Sequence, residues 1–214
     1  MARFSADNAE NYGGHGGQGF FSLKNDKDVA RVRFMYDSIE DVEGFAVHQI
    51  EVDGKKRYVD CKREYNEPID KCPFCKSGKF QQAKLFIPLY DIESGQVKIW
   101  ERGKKFFAQI SQLCSRYAQN EPLCSHVFEI ERSGKPGDTQ TSYGIYEVDR
   151  DNTTLADLPE VPDILGSVVL DKTPEEMEYY NAHECFEESN ADDMPTRRTD
   201  ATARRTPSTR GDRF

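Results

Sequence analysis

The chain has no run of 18 consecutive apolar residues, so no membrane-spanning helix is expected. Its opening, MARFSADNAENYGG, lacks the charged-then-apolar order of a secretory leader, which predicts a chain that stays in the cytosol. In that compartment thiols remain reduced, and six cysteines at uneven spacing do not make a disulfide framework; they read as metal ligands plus core residues. Hydrophobic residues are also sparse, 36% against 31% charged over 214 residues. That balance allows one modest core and leaves other segments unable to offset the entropy of ordering.

Nor is there a basic excess. The formal net charge is −9, which would argue against a polyanion binder if it were evenly spread. Residues 31–116, however, carry 16 basic against 13 acidic groups, residues 117–196 carry 4 against 19, and residues 197–214 carry 6 against 2. The mildly basic stretch is therefore the part suited to a polyanion, with the acid concentrated after it.

Residues 1–22 form a glycine-rich arm that is expected to be flexible and to dock through Phe20 and Phe21 on its own domain. Alternating or turn-bounded runs predict strands over 30–36, 44–51, 57–61, 83–91, 96–101, 126–132 and 143–149. Turns at Asp53-Gly54 and Ser94-Gly95 make two hairpins, and helical spacing of Phe106, Ile110, Leu113 and Tyr117 predicts a helix over 104–119. In the second hairpin Leu85, Ile87, Leu89, Val97 and Ile99 are expected to line the core, leaving Lys84, Phe86, Tyr90, Lys98 and Trp100 on the opposite face. The resulting class is mainly β: an OB-fold barrel over 23–157 with an insert at about 48–75, and a sandwich as the alternative. Residues 158–186 are acidic, and the capping box Thr173-Pro174-Glu175-Glu176 opens a helix through about Phe186. A tail expected to be disordered follows over 187–214, first acidic and then arginine-rich.

Chemistry gathers in the insert. The spacing His48-x12-Cys61-x10-Cys72-x2-Cys75 offers the four donors of a tetrahedral Cys₃His zinc site. A redox dithiol at Cys72-Pro73-Phe74-Cys75 and unliganded core cysteines are the other readings, but the redox reading wants a βαβ unit around the pair. A zinc deaminase wants His-x-Glu, whereas His48 is followed by Gln49-Ile50. Four protein donors saturate tetrahedral zinc and leave no open position for water, so the expected ion is structural and the chain is not expected to be an enzyme. Cys114 reads as core, and Cys124 and His126 receive no role.

Around these ligands, cations interleave with aromatics: Lys55, Lys56, Arg57, Tyr58, Lys62, Arg63 and Tyr65, then Lys84, Phe86 and Tyr90, then Lys98, Trp100, Arg102, Lys104 and Lys105. Phosphates suit the cations and base faces suit the aromatics, a sequence-tolerant mode for single strands.

With these residues in view, the chain resembles the single-stranded DNA-binding (helix-destabilising) proteins of T4-type bacteriophages. The resembling segments are Lys24 to Asp26 (KND), Gly44 to Cys61, Asp70 to Cys75 (DKCPFC) and Gly95 to Ile110. The resemblance implies that His48, Cys61, Cys72 and Cys75 hold zinc. It further implies that Tyr58, Phe86 and Trp100, with neighbouring cations, line a DNA cleft. The expected function is coating single-stranded DNA in phage replication, recombination and repair, in the cytoplasm of an infected bacterial host, with no membrane partner. Expected partners are further copies along the DNA and replication or recombination proteins recruited by the acidic C-terminal segment. This chain departs from the family in an arm whose only early cation is Arg3 and in the arginines of 197–214. The alternative function is a zinc-ribbon scaffold that reads protein surfaces.

Overall fold

The computed structural model describes residues 19–138 and 141–187. Most of the glycine arm and the tail from residue 188 lie outside the described residues. In chain order the elements are β1 (Val29–Phe34), β2 (Gly44–Val52), β3 (Lys55–Asp60), the one-turn helix α1 (Pro73–Lys76), β4 (Gln81–Asp91) and β5 (Gln96–Gly103). They continue with α2 (Phe107–Tyr117), β6 (His126–Ser133), β7 (Ser142–Arg150), α3 (Ile164–Ser167), β8 (Val169–Leu170) and α4 (Pro174–His183).

β4 organises the sheet. β5 runs antiparallel to it from Lys84 to Asp91, so its other edge is left for two different strands: β2 at Gln81–Leu85 and β1 at Leu89–Asp91. The hydrogen-bonded order is β7-β6-β1-β4-β2-β3-β8, with β5 branching from β4. The fold is mainly β, and this ladder does not close on itself. Both hairpin turns fall where expected: Asp53 and Gly54 take positive φ of 53° and 70°, and Gly95 takes 67°, which fits the twist of tight hairpins. Of the two arm phenylalanines expected to dock on their own domain, Phe21 does so, its N–H donating to the Ile99 carbonyl at 2.8 Å and its ring buried edge-on against Trp100, whereas Phe20 is 54% exposed.

One correction concerns the β4–β5 faces. Register pairs Ile87 with Trp100 and Phe86 with Glu101, so Trp100 shares the face of Leu85, Ile87 and Leu89, while Ile99 and Val97 share that of Phe86. Trp100 is 1% exposed and Phe86 2%. Both faces are covered. Trp100 joins the main cluster with Phe34, Ile110 and Phe128, and Phe86 joins a smaller one with Val47, Ile99 and Val169. Neither ring is open for a base to stack on.

A third cluster, Ile50, Val59, Cys61, Cys72, Phe74, Met177 and Tyr180, stands apart from the main core. It is completed by the acidic C-terminal segment. β8 runs parallel to β3, pairing Tyr58 with Val169, and α4 lays Met177 and Tyr180 on the knuckle. The capping box forms as its sequence predicts: Glu176 N–H donates to Thr173 Oγ1 and Thr173 N–H to Glu176 Oε2, while the helix ends at His183, short of Phe186. Thr173→Ala should cost about 1 kcal/mol. The check is hydrogen exchange, which should quicken in the first turn of α4 and leave β1 and β6 unchanged.

Buried Arg33 ties β1 to the far end of the chain. Its guanidinium donates to the carbonyls of Cys124 and Ser125 and forms a two-pronged ion pair with Asp151. Hydrogen bonds from Arg33 and Thr153 hold the Asp151 carboxyl down to about 2, from an ordinary 3.8. A depressed carboxyl stabilises the fold above its unfolded-state value, and that contribution is lost as pH falls through the folded value. Urea midpoints of the parent should therefore fall more steeply than those of Asp151→Asn between about pH 4 and pH 2, and the two should converge at the acid end.

Candidate metal centre and adjoining cationic groove

Strand register brings the four predicted ligands together. His48 of β2 pairs with Val59 of β3, and the Cys61 N–H bonds to the Ala46 carbonyl, so both side chains leave the same face of the hairpin. Cys72 and Cys75 then frame α1, with Cys72 at its N-cap and Pro73 in the first turn. His48 Nε2 lies 3.5 Å from Cys72 Sγ and 3.6 Å from Cys75 Sγ, and Cys61 Sγ lies 3.7 Å from Cys75 Sγ. All four donor atoms fall within 4.8 Å of one another. A tetrahedron with zinc–ligand bonds of about 2.3 Å to sulfur and 2.0–2.1 Å to nitrogen has edges of about 3.5–3.8 Å. The cluster thus has the size and donor set to hold one metal ion, and none of its cysteines is in a disulfide.

Burial lowers the His48 pKa, which favours the neutral imidazole that ligates. Burial likewise raises the Cys61 thiol and, with the neighbouring cysteines, pushes Cys75 up to about 12. At Cys72 burial also acts upward, but backbone N–H groups of Cys75, Lys62 and Phe74 outweigh it and lower the thiol. Uptake of an ion by these groups would release protons. α4 closes the other side of the knuckle: Tyr180 OH donates to the Glu51 carbonyl at 2.6 Å, Asn181 Nδ2 donates to the Pro73 carbonyl at 3.1 Å, and Phe74 packs edge-on to Tyr180.

The fifteen residues anticipated for nucleic acid do not form one surface. Lys55, Lys56 and Arg57 are exposed at the β2–β3 hairpin tip. Lys56, Arg57 and Tyr58 line a small groove of about 450 Å³ with Lys84 and Glu101, where Tyr58 donates to Glu101 Oε1, which also pairs with Lys84 at 2.5 Å. Lys62 is held between Asp60 and Asp171, and Lys98 is paired with Asp91 at the distal hairpin near Tyr90. These three lysines are thus neutralised within the chain.

Arg63, Tyr65, Arg102, Lys104 and Lys105 do converge, and Lys84 lines the same groove while paired with Glu101. A groove of about 860 Å³ runs between Phe80, Lys84, Arg102, Lys104, Lys105, Phe106, Arg132 and Tyr143. A second, of about 520 Å³, lies between Arg63, Glu64, Tyr65, Glu67 and Lys104 and shares Gln81, Ala83 and Lys104 with the first, so the two adjoin. Tyr65 is 93% exposed and Phe80 79%, and neither ring packs on the core. Arg102 lies flat between Trp100 and Tyr143, its guanidinium carbon 4.2 and 4.0 Å from the ring centres. Burial pulls this guanidinium below its ordinary pKa despite the opposing influence of Tyr143, and its buried Nε has no hydrogen-bond partner among the described residues. A guanidinium at a groove wall whose buried Nε–H is unsatisfied is suited to an anion.

Phe80, Phe106, Arg132 and Tyr143 are groove residues that sequence reasoning missed. An aromatic in the polar run SGKFQQ was a local signal for Phe80. Arg132 and Tyr143 arrive from β6 and β7, and only pairing of β1 with β4 and β6 brings them near Arg102. No protein-family model and no curated protein sequence matches the chain.

Proposed function

We propose that the chain binds single-stranded DNA along the paired grooves, with one structural zinc ion in the Cys₃His cluster and an OB-type arrangement of the β4-centred sheet. The observation that carries this reading is the pair of exposed rings, Tyr65 and Phe80, set among Arg63, Arg102, Lys104 and Lys105. Exposed rings supply stacking platforms, and the cations track a phosphate backbone without reading sequence. Zinc, in this reading, acts by holding β2, β3 and the Arg63–Tyr65 loop against the groove. Coating of single strands during phage replication, recombination and repair follows from the family resemblance, as do a cytoplasmic setting and protein partners for the acidic segment.

A fluorescence-anisotropy titration of oligo-dT and of duplex DNA, each with and without a zinc chelator, tests it. Tight, length-dependent and single-strand-selective binding that weakens on chelation is the expected result; equal binding of duplex, or none of either, overturns the reading. Phe80→Ala should weaken oligo-dT binding about tenfold, as loss of one stacked base does, with little effect on the urea midpoint. Lys104→Ala and Lys105→Ala should each lower the slope of log affinity against log salt by about 0.7.

A further inference from the structure

On the face of β4 opposite Trp100 lies a separate cavity of about 570 Å³. Its floor is apolar, with Phe45, Phe86 and Pro88, and its wall is the segment carrying Ile164 and Leu165, of which Leu165 is exposed. The lining also holds four carboxylates, Asp37, Asp41, Glu43 and Asp163, and no lysine or arginine. Asp41 accepts the backbone N–H groups of Asp37 and Ser38; among the described residues, none of the four carboxylates has an ion-pair partner. An apolar floor ringed by unpaired carboxylates repels a nucleic-acid backbone and suits a cationic peptide with apolar side chains.

We propose that the arginine-rich segment Arg197–Phe214 of this chain occupies this cavity. Charge complementarity selects it. Of the sequence outside the described residues, 1–18 offers only Arg3 and 188–196 offers no Lys or Arg, whereas 197–214 holds six arginines against two aspartates. It also brings Pro207 and Phe214 for the apolar floor. Nine residues separate Glu187 from Arg197, an extended span of about 30 Å, comparable with the diameter of a domain of this size. The segment of the same chain is the occupant. This docking is independent of whether the opposite face binds DNA.

The test compares methyl and amide NMR spectra of the full-length chain with a full-length variant in which Arg197, Arg198, Arg204, Arg205, Arg210 and Arg213 are replaced by Gln. Among residues 19–187, shift changes should be confined to the cavity, at Met35, Leu155, Ile164 and Leu165. Adding a synthetic peptide of residues 197–214 to the variant should restore the parent shifts. In the groove variant Asp37→Asn, Glu43→Gln, Asp163→Asn the same peptide should bind about tenfold more weakly, with the fold unchanged because these carboxylates are exposed. Shift differences that are independent of protein concentration place the segment in its own chain's cavity and support the proposal; concentration-dependent ones, which place it in a neighbour's, overturn it. Unchanged cavity signals between parent and arginine variant, or peptide binding unaffected by the cavity substitutions, would overturn it.

Discussion

Cys72→Ser should reduce bound metal from about one ion per chain to a small fraction and unfold the insert while the main core persists. The reason lies in how the two regions are held. The main cluster gathers Val32, Phe34, Leu85, Ile87, Trp100, Ile110 and Phe128 from several strands and α2, enough apolar volume to stand by itself. The knuckle cluster has only seven buried members, two of them ligand cysteines, so little hydrophobic burial remains once the donors are unbound. Structural zinc sites contribute on the order of 10 kcal/mol of apparent binding free energy that is also folding free energy. Loss of one donor should therefore lower local stability by on the order of 5 kcal/mol. Hydrogen exchange should show protection lost in β3 and α4 and kept in β1 and β6, with elemental analysis reporting the metal. Chelation of the parent should give the same pattern. A variant that keeps its metal, or a chelated parent with α4 still protected, would contradict the assignment of this cluster as the staple.

Trp100→Ala should cost about 3–5 kcal/mol of global stability. This indole is enclosed edge-on by Phe21, Phe106 and Tyr143 at ring distances of 5.7, 4.9 and 5.2 Å, with the Arg102 guanidinium across its face. Truncation leaves a cavity at the junction of the arm, β5 and the start of α2, and it removes edge-to-face contacts worth more than their area. Circular dichroism in urea is the measurement, since Trp100 is the only tryptophan and its loss removes the fluorescence reporter. The comparison with Phe80→Ala separates two roles that sequence alone merges. Trp100→Ala should shift the unfolding midpoint, and Phe80→Ala should shift DNA affinity. If instead Trp100→Ala left the midpoint unchanged and abolished DNA binding, the buried placement of this ring would be wrong.

The metal ligands were legible because their identity is their chemistry. Three thiols and one imidazole with a Cys-x2-Cys knuckle specify a donor set whatever surrounds them, and the Asp53-Gly54 turn fixes which hairpin positions share a face. Turn residues and the Thr173 capping box were legible for the same reason: each acts within three or four residues of itself.

What sequence could not decide was which side of a strand is covered. The run AKLFIPLYD alternates only weakly, because β4 is buried on both faces where β5, β1, β2 and the 164–169 segment meet around it. Period-two reasoning then had to choose an outer face and chose that of Phe86 and Trp100. Assigning Trp100 correctly needed the exact register of Ile87 to Trp100 across the Ser94-Gly95 turn, which the turn residues by themselves leave open by one position. The groove shows the same limit. Arg102 and Lys104 are legible in their own segment, but Tyr143 and Arg132 reach the same wall from distant β6 and β7, through strand pairing. Composition of the acidic segment gave its charge, while tertiary packing laid Met177 and Tyr180 over the knuckle. Sequence by itself thus determined the donors, the turns and the capped helix, which are local chemistry. Only the folded chain decided which aromatics are core and which cations are free, because burial and ion pairing depend on what distant segments bring.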